Sequence, residues 1–298
     1  MSTDIFRADA LVGKSILVTG GGSGLGKEIS KALVAKGAAV HICGRRSEVL
    51  DEAVREISTS GSAPVRAHVC DIRDAEQVEA MMDAIWATGP LTGLLNNAAA
   101  NFIAPTKDLS PRGFRAVTST VMDGSFHVTL AAGKRWIAGG LKGSVVSNLV
   151  TWVWTGSAFV VPSAMAKTAL HAMTMSLAVE WGRYGIRLNA TAPGPFPTES
   201  AWEKLNPIAD TKSSATSADT VPMGRFGQIQ ELQSLVVFLL SDACDYLTGQ
   251  TIAIDGGQHL AGPGTFADLG VLTDEQWHAA REAIQQSTQR EKPQRVQG

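Results

Sequence analysis

Apolar residues fall in short β-branched runs, separated by longer stretches in which they recur with a helical period. The run Ser15-Ile16-Leu17-Val18-Thr19 predicts a first strand. Glycines follow at once. Ile29, Leu33 and Val34 then recur on one side with Lys27, Lys31 and Lys36 on another, the pattern of an amphipathic helix. Gly37 ends that helix, and residues 39–43 predict the second strand. The alternation continues with a helix over 49–57, a strand over 65–70, a helix over 75–88 and a strand over 91–95. The second half gives a strand over 144–147, a helix over 162–181, a strand over 186–190, a helix over 231–240 and a closing strand over 251–255, stopped by Gly256-Gly257. Strands separated by helices of about ten or more residues predict right-handed βαβ units. The fold class is therefore α/β, a Rossmann-type doubly wound parallel sheet of about seven strands.

No repeat period and no Pro/Gly/Ser linker divides the chain. Residues 1–298 read as one domain with a core over 10–260 and a C-terminal extension over 261–298. The polar, small-residue stretch 199–222 is the one long irregular segment, and predicts a lid over a site. The tail from Ser287 predicts a frayed end.

Composition narrows the function classes. The 298 residues carry 26 Lys+Arg against 28 Asp+Glu, so no basic surplus points to nucleic acid. Hydrophobic residues at 44% supply a core and exclude disorder over nearly the whole length. Cys43, Cys70 and Cys244 are odd in number and far apart, which excludes a disulfide framework and a zinc knuckle. The six histidines show no paired spacing, so no metal is expected. The opening residues lack a signal-peptide core, and the longest apolar run, Leu235 to Leu240, is too short to span a bilayer. The expected location is cytoplasmic. Asn189-Ala190-Thr191 is a formal glycosylation sequon, but it falls in a predicted buried strand.

Gly20, Gly24 and Gly26 follow the first strand and open a helix, the arrangement that lets backbone approach a pyrophosphate at a helix N-terminus. Gly21 to Lys27 also satisfies G-x-x-x-x-G-K, but the next residue is Glu28, where a P-loop needs a hydroxyl for Mg²⁺. The second strand ends Gly44-Arg45-Arg46 in place of an acid for the ribose. Arg45 can pair with a 2′-phosphate, giving NADP(H) as the expected cofactor; the alternative is two solvated loop arginines. At the ends of the next two strands, Asp71 is placed to accept from an adenine amino group, and Asn97 to hold the turn under the cofactor.

Four pieces in order, Thr19-Gly20-x3-Gly24-x-Gly26, Asn96-Asn97-Ala98, Lys167 and Pro193-Gly194-Pro195 with Thr198, resemble the short-chain dehydrogenase/reductase family over about residues 10–260. The resemblance implies a nicotinamide cofactor held by Thr19, Gly20, Gly22, Ser23, Gly24, Leu25, Arg45, Asp71, Asn97, Lys167, Pro193 and Gly194, and a homotetramer or homodimer. The small and bulky alternation over Ala169 to Trp181 suits a subunit interface. The family's Tyr-x-x-x-Lys is absent: Ser163 stands four before Lys167, and Val121 stands at the family's helix asparagine.

The segments Asn96 to Pro105 and Gly156 to Lys167, with Leu205-Asn206-Pro207, Phe266 to Leu269 and Glu275-Gln276-Trp277, are similar to the 2,4-dienoyl-CoA reductases of that family. That similarity implies NADPH-dependent hydride delivery to the far end of a dienoyl thioester in unsaturated fatty-acid β-oxidation, followed by protonation of the dienolate. No alkoxide forms, so support of the enolate oxygen replaces a tyrosine acid. By resemblance Asn101, Ser163, Lys167 and Trp152 are catalytic, while Phe102, Ser110 and Lys204 meet the acyl-CoA. Trp152 replaces the branch's tyrosine, and an indole donates a hydrogen bond but no proton at neutral pH. Another acyl-CoA or carbonyl reductase, and a cofactor-binding scaffold with a decayed site, are the alternative readings.

Overall fold

In the computed structural model, which describes residues 7–101, 103–197, 218–262, 273–276, 278, 279 and 282, seven parallel strands form one sheet in the order β3-β2-β1-β4-β5-β6-β7. They are β1 (Ser15–Thr19), β2 (Ala39–Gly44), β3 (Val65–Val69), β4 (Gly93–Asn96), β5 (Gly143–Asn148), β6 (Ile186–Pro193) and β7 (Thr251–Ile254). The helices are α1 (Gly24–Ala35), α2 (Ser47–Ser58), α3 (Ala75–Trp86), α4 (Pro111–Thr118), α5 (Gly124–Ala138), α6 (Trp152–Thr155), α7 (Val161–Trp181), α8 (Ile229–Leu240) and α9 (Gln258–Ala261). The chain divides into two compact units, Met1–His259 and Leu260–Gly298. The sheet and the site lie in the first. Most of the predicted lid and the tail from Ser287 fall outside the described residues.

Side-chain alternation in β1 feeds both layers. Ile16 and Val18 join Ile29 and Leu33 of α1 with Leu232 and Val236 of α8, while Leu17 joins Val78 and Met82 of α3 with Val128 and Trp136 of α5. The strand and helix order therefore follows the hydrophobic period. The sequence reading assigns no element over 111–138, where the structure has α4, a π turn (Ser119–Asp123) and α5. The reason is a mixed inner face, on which small polar residues sit beside Val128 and Trp136. Ser125 and Thr129 are buried at 1% and 0% exposure, while Phe126 on the opposite face is 47% exposed. Gly124 admits Ile72 and Gly133 admits the Trp181 ring, where an added Cβ would lie 2.6 and 2.5 Å away respectively.

Two buried polar residues of β6 tie the last helical layer to the sheet. Asn189 donates to Leu247 O at 2.8 Å and accepts from Gln250 N at 3.1 Å, so its sequon has no exposed amide. Arg187 donates to Leu239 O at 3.2 Å and Ser241 O at 2.9 Å, covering carbonyls that α8 leaves unpaired at its C-terminus. Arg187→Met removes the guanidinium donor to Ser241 O and leaves Leu239 O with Ser144 Oγ, at 2.9 Å. The expected cost is about 2–3 kcal/mol of unfolding free energy, read as a lower urea midpoint.

Candidate active site

The glycine turn after β1 is a cradle that side chains would fill. Gly20 (φ 65°) and Gly24 (φ 53°) adopt left-handed backbone. A Cβ on Gly20 would lie 2.9 Å from Ala98 Cα; one on Gly26 would lie 2.4 Å from Asn97 Nδ2 and 2.5 Å from Gly20 O. Gly22 turns its open side toward Val49 and Leu50 of α2, and Leu25 packs on the core. Ser23 occupies the N-cap of α1 with extended backbone and no side-chain capping bond, so the first N–H groups of α1 are left for a ligand. Close backbone and unmet N–H groups together fit a dinucleotide pyrophosphate.

From this cradle a line of hydrogen bonds crosses the carboxyl ends of four adjacent strands. Buried Thr19 accepts from Asn97 N and Ala98 N, each at 3.0 Å, and reaches Leu95 O at 3.4 Å. Thr19 thus shapes the turn from below. Asn97 Nδ2 donates to Thr19 O at 3.1 Å, and its Oδ1 accepts from Asn148 Nδ2 at 3.1 Å. Thr191 of β6 donates to Asn148 Oδ1 at 3.2 Å, and the Lys167 ammonium donates to Asn148 O. Asn148 and Thr191 escaped the sequence reading, although the carboxyl-end rule for open sheets covers both positions.

Lys167 is 6% exposed, and burial pushes its ammonium down to about 8. Ser163 lies one turn earlier on the same face of α7, 4% exposed, its hydroxyl unpartnered among the described residues. Trp152 begins α6, half-buried, and its indole N–H is likewise unpartnered among them. So is the half-buried Asn101 side chain. Their chain neighbours Ala100 and Val153 pack with Ala166, Leu149 and Val121 in one small cluster. Phe159 has φ 64°, a strained value for a non-glycine, and its carbonyl accepts from Ala104 N at 2.9 Å.

Other sequence-predicted residues lie around this centre. Pro193 closes β6 and Gly194 N donates to Ile254 O at 3.0 Å. Ser110 caps α4, accepting from Gly113 N at 3.1 Å. Phe102, Thr198 and Lys204 lie outside the described residues. At the other end, Arg45 is exposed past β2, and Arg46 caps α2 without a side-chain bond. Hydrogen bonds from Arg73 hold the Asp71 carboxyl below the usual carboxylate range, and the Arg45 charge adds to this. Among the described residues no cluster of three metal-ligating side chains occurs, and no helix is long and apolar enough to cross a membrane.

Residues 20–259 match the family model described as enoyl-(acyl carrier protein) reductase. A probable 2,4-dienoyl-CoA reductase [(2E)-enoyl-CoA-producing] of Bacillus subtilis is 40% identical, over 83% of this chain and 97% of its own length. A probable 2,4-dienoyl-CoA reductase 3 [(3E)-enoyl-CoA-producing] of Caenorhabditis elegans is 36% identical, over 98% and 96%. A crystal structure of a short chain dehydrogenase from Bacillus anthracis superposes with a TM-score of 0.74 at 38% identity, covering 83% of this chain and 96% of that one. With the seven-stranded sheet, the glycine cradle and the buried lysine, these place the chain among nicotinamide-dependent oxidoreductases: it belongs to the short-chain dehydrogenase/reductase family.

Proposed function

We propose that the protein is an NADPH-dependent reductase of 2,4-dienoyl-CoA thioesters, serving the breakdown of unsaturated fatty acids in the cytoplasm. One observation carries the reading: the buried Lys167 and its hydrogen-bonded line are intact, yet Ser163 and Trp152 stand where a phenol would be. The described tyrosines, Tyr184 and Tyr246, are both exposed at the surface. A site built to hold a nicotinamide ribose without an acid beside a carbonyl suits conjugate reduction, in which charge develops on a thioester oxygen. The names of the two dienoyl-CoA reductases above support the same substrate class.

The reduced nicotinamide supplies a hydride. The protein's own part is to bind and orient. Gly20, Gly22, Ser23, Gly24, Leu25 and the start of α1 hold the pyrophosphate; Asp71 receives the adenine amino group. Lys167 bonds the nicotinamide ribose, with Pro193 and Gly194 at the ring. Asn101 and the Trp152 indole donate toward the thioester oxygen. Ser163 lies beside the nicotinamide, and Phe102, Ser110 and Lys204 meet the acyl-CoA. Two copies or four assemble through α5 and α7, whose outer faces expose Phe126, Met165, Met175 and, at 86%, Val179, with Met122 of the π turn beside them.

Arg45, with Arg46 and the uncapped start of α2, receives the 2′-phosphate. Arg45→Ala is expected to raise KM for NADPH by about 10- to 100-fold, the worth of a charge-assisted contact, and to leave KM for NADH unchanged. The assay follows the loss of reduced-nicotinamide absorbance with a short 2,4-dienoyl-CoA, beside NADH and a 2-enoyl-CoA. Oxidation that requires the diene and prefers NADPH supports the reading; cofactor binding without turnover of the diene overturns it.

A further inference from the structure

Conjugate reduction needs a proton as well as a hydride, and the residues so far assigned do not supply one. Amide, alcohol and indole groups at Asn101, Ser163 and Trp152 do not act as acids near neutral pH. Lys167 is bonded to Asn148 O and faces the ribose. A titratable couple that no motif points to stands at the same end of the sheet. Asp255 follows β7 with its side chain 4% exposed, and its carboxylate accepts from Gly257 N at 3.0 Å, His259 N at 2.8 Å and His259 Nδ1 at 2.7 Å. Burial works against the Asp255 charge, and the bonds from His259 and Gly257 outweigh it, holding the carboxyl below its usual range. A carboxylate on Nδ1 fixes the tautomer and leaves Nε2 as the nitrogen that exchanges a proton.

The couple is bracketed by the elements that build the site. On one side a Cβ at Gly194 would lie 2.6 Å from Asp255 Cβ and 2.8 Å from its Cα, so the Asp255 backbone packs directly on the loop after β6. On the other, Trp154 of α6, two residues past Trp152, lies over the His259 ring with centroids 5.0 Å apart and planes at 33°. His171, one turn past Lys167 on α7, meets the same indole edge-on at 6.2 Å and bonds Thr251 Oγ1 at 2.8 Å. Asp255 also lines a cavity of about 320 Å³ with Arg225 and Glu231, which pair with each other at 2.7 and 2.9 Å. The charged and titratable groups around the ring are thus Asp255, His171 beyond the indole, and a self-neutralised Arg225–Glu231 pair.

We propose that His259 is the proton donor of this reductase and that Asp255 is its positioning residue, together replacing the acid that Trp152 cannot provide. The inference rests on the dienoyl-CoA reading. Hydride addition at C5 shifts two π pairs toward the thioester and leaves a dienolate. The Nε2–H bond then breaks, a C–H bond forms at C2, and the enolate pair closes, giving a 3-enoyl-CoA. The neutral imidazole takes its replacement proton from water. Protonation at C4 would give the 2-enoyl isomer, so a fixed donor also selects the product.

The test compares the wild-type chain with His259→Gln and His259→Ala, using NADPH and a short 2,4-dienoyl-CoA. His259→Gln is expected to lower kcat by about 10²- to 10⁴-fold with KM for NADPH unchanged. Its product is expected to become a mixture of 2- and 3-enoyl isomers, and added imidazole to restore rate to His259→Ala. A purely structural role would move neither the isomer ratio nor the imidazole response. If His259→Gln keeps the wild-type rate and single isomer, or if imidazole does nothing for a folded His259→Ala, the assignment of His259 falls while the dienoyl-CoA reading stands. A wild-type protein that turns over only a 2-enoyl-CoA or a carbonyl compound overturns that reading, and this assignment with it.

Discussion

Lys167→Met is expected to leave a folded protein whose kcat has dropped by about 10²- to 10³-fold, the usual loss when a preorganised charge is removed from a dry site. The same variant should abolish a pH dependence of stability. In the folded chain burial lowers the Lys167 ammonium from its ordinary 10.5 to about 8. Below 8 both folded and unfolded chains hold the proton, and the folded one carries the cost of a buried charge. Between 8 and 10.5 the folded chain has released it while the unfolded chain has not. The unfolded state then binds more protons, so stability rises with pH. At about 1.4 kcal/mol per unit the gain over that window is about 3 kcal/mol. Urea midpoints for wild type and Lys167→Met, taken on both sides of the window, should diverge by this amount; parallel curves would show that Lys167 does not titrate there. Activity moves the other way. In the role proposed for Lys167 at the nicotinamide ribose the charged form is the active one, so wild-type kcat should fall above about 8.

The second large effect belongs to the glycine cradle. Gly26→Val is expected to remove measurable NADPH binding and to lower stability by about 3–5 kcal/mol. The first methine carbon alone would meet Asn97 Nδ2 at 2.4 Å, Gly20 O at 2.5 Å and Gly20 C at 3.1 Å. Two of these are backbone atoms of the turn itself and cannot swing aside. Relief must come from displacing Asn97, which breaks the bonds to Thr19 O and Asn148, or from opening the turn. Gly182→Ala provides the control: it sits in right-handed backbone at φ −54° with nothing within 4 Å of an added Cβ. Titration of tryptophan fluorescence with NADPH, beside urea unfolding, should show loss for Gly26→Val and no change for Gly182→Ala.

The layered fold was legible because each strand and most helices write their burial into their period. Ile16, Leu17 and Val18 alternate between two apolar layers, and α1 shows a lysine face opposite its core face. α4 and α5 were invisible for the opposite reason. Gly124, Ser125, Thr129 and Gly133 share the inside with Val128 and Trp136 while Met122 and Phe126 are outside, so the hydrophobic period is blurred. At the site, the glycine turn, Arg45, Asp71 and Asn97 could be read from position at strand ends. Asn101, Ser163 and Trp152 came from resemblance. Asn148, Thr191 and the Asp255–His259 couple required coordinates, because polar partners brought together from β5, β6 and beyond β7 leave no shared spacing in the chain.

The hydrogen-bonded line from Thr19 through Asn97 and Asn148 to Thr191 has a metric consequence. It runs across β1, β4, β5 and β6, three inter-strand spacings of about 4.8 Å, so roughly 14 Å separates its ends. Each joint is a side-chain amide or hydroxyl locked to its neighbour, so neither end can drift without breaking a bond. Lys167 joins this line at Asn148 of β5, two spacings or roughly 10 Å from β1, so the sheet sets a fixed interval between the glycine cradle and the buried ammonium. Length is measured by the pitch of the strands before any chemistry begins.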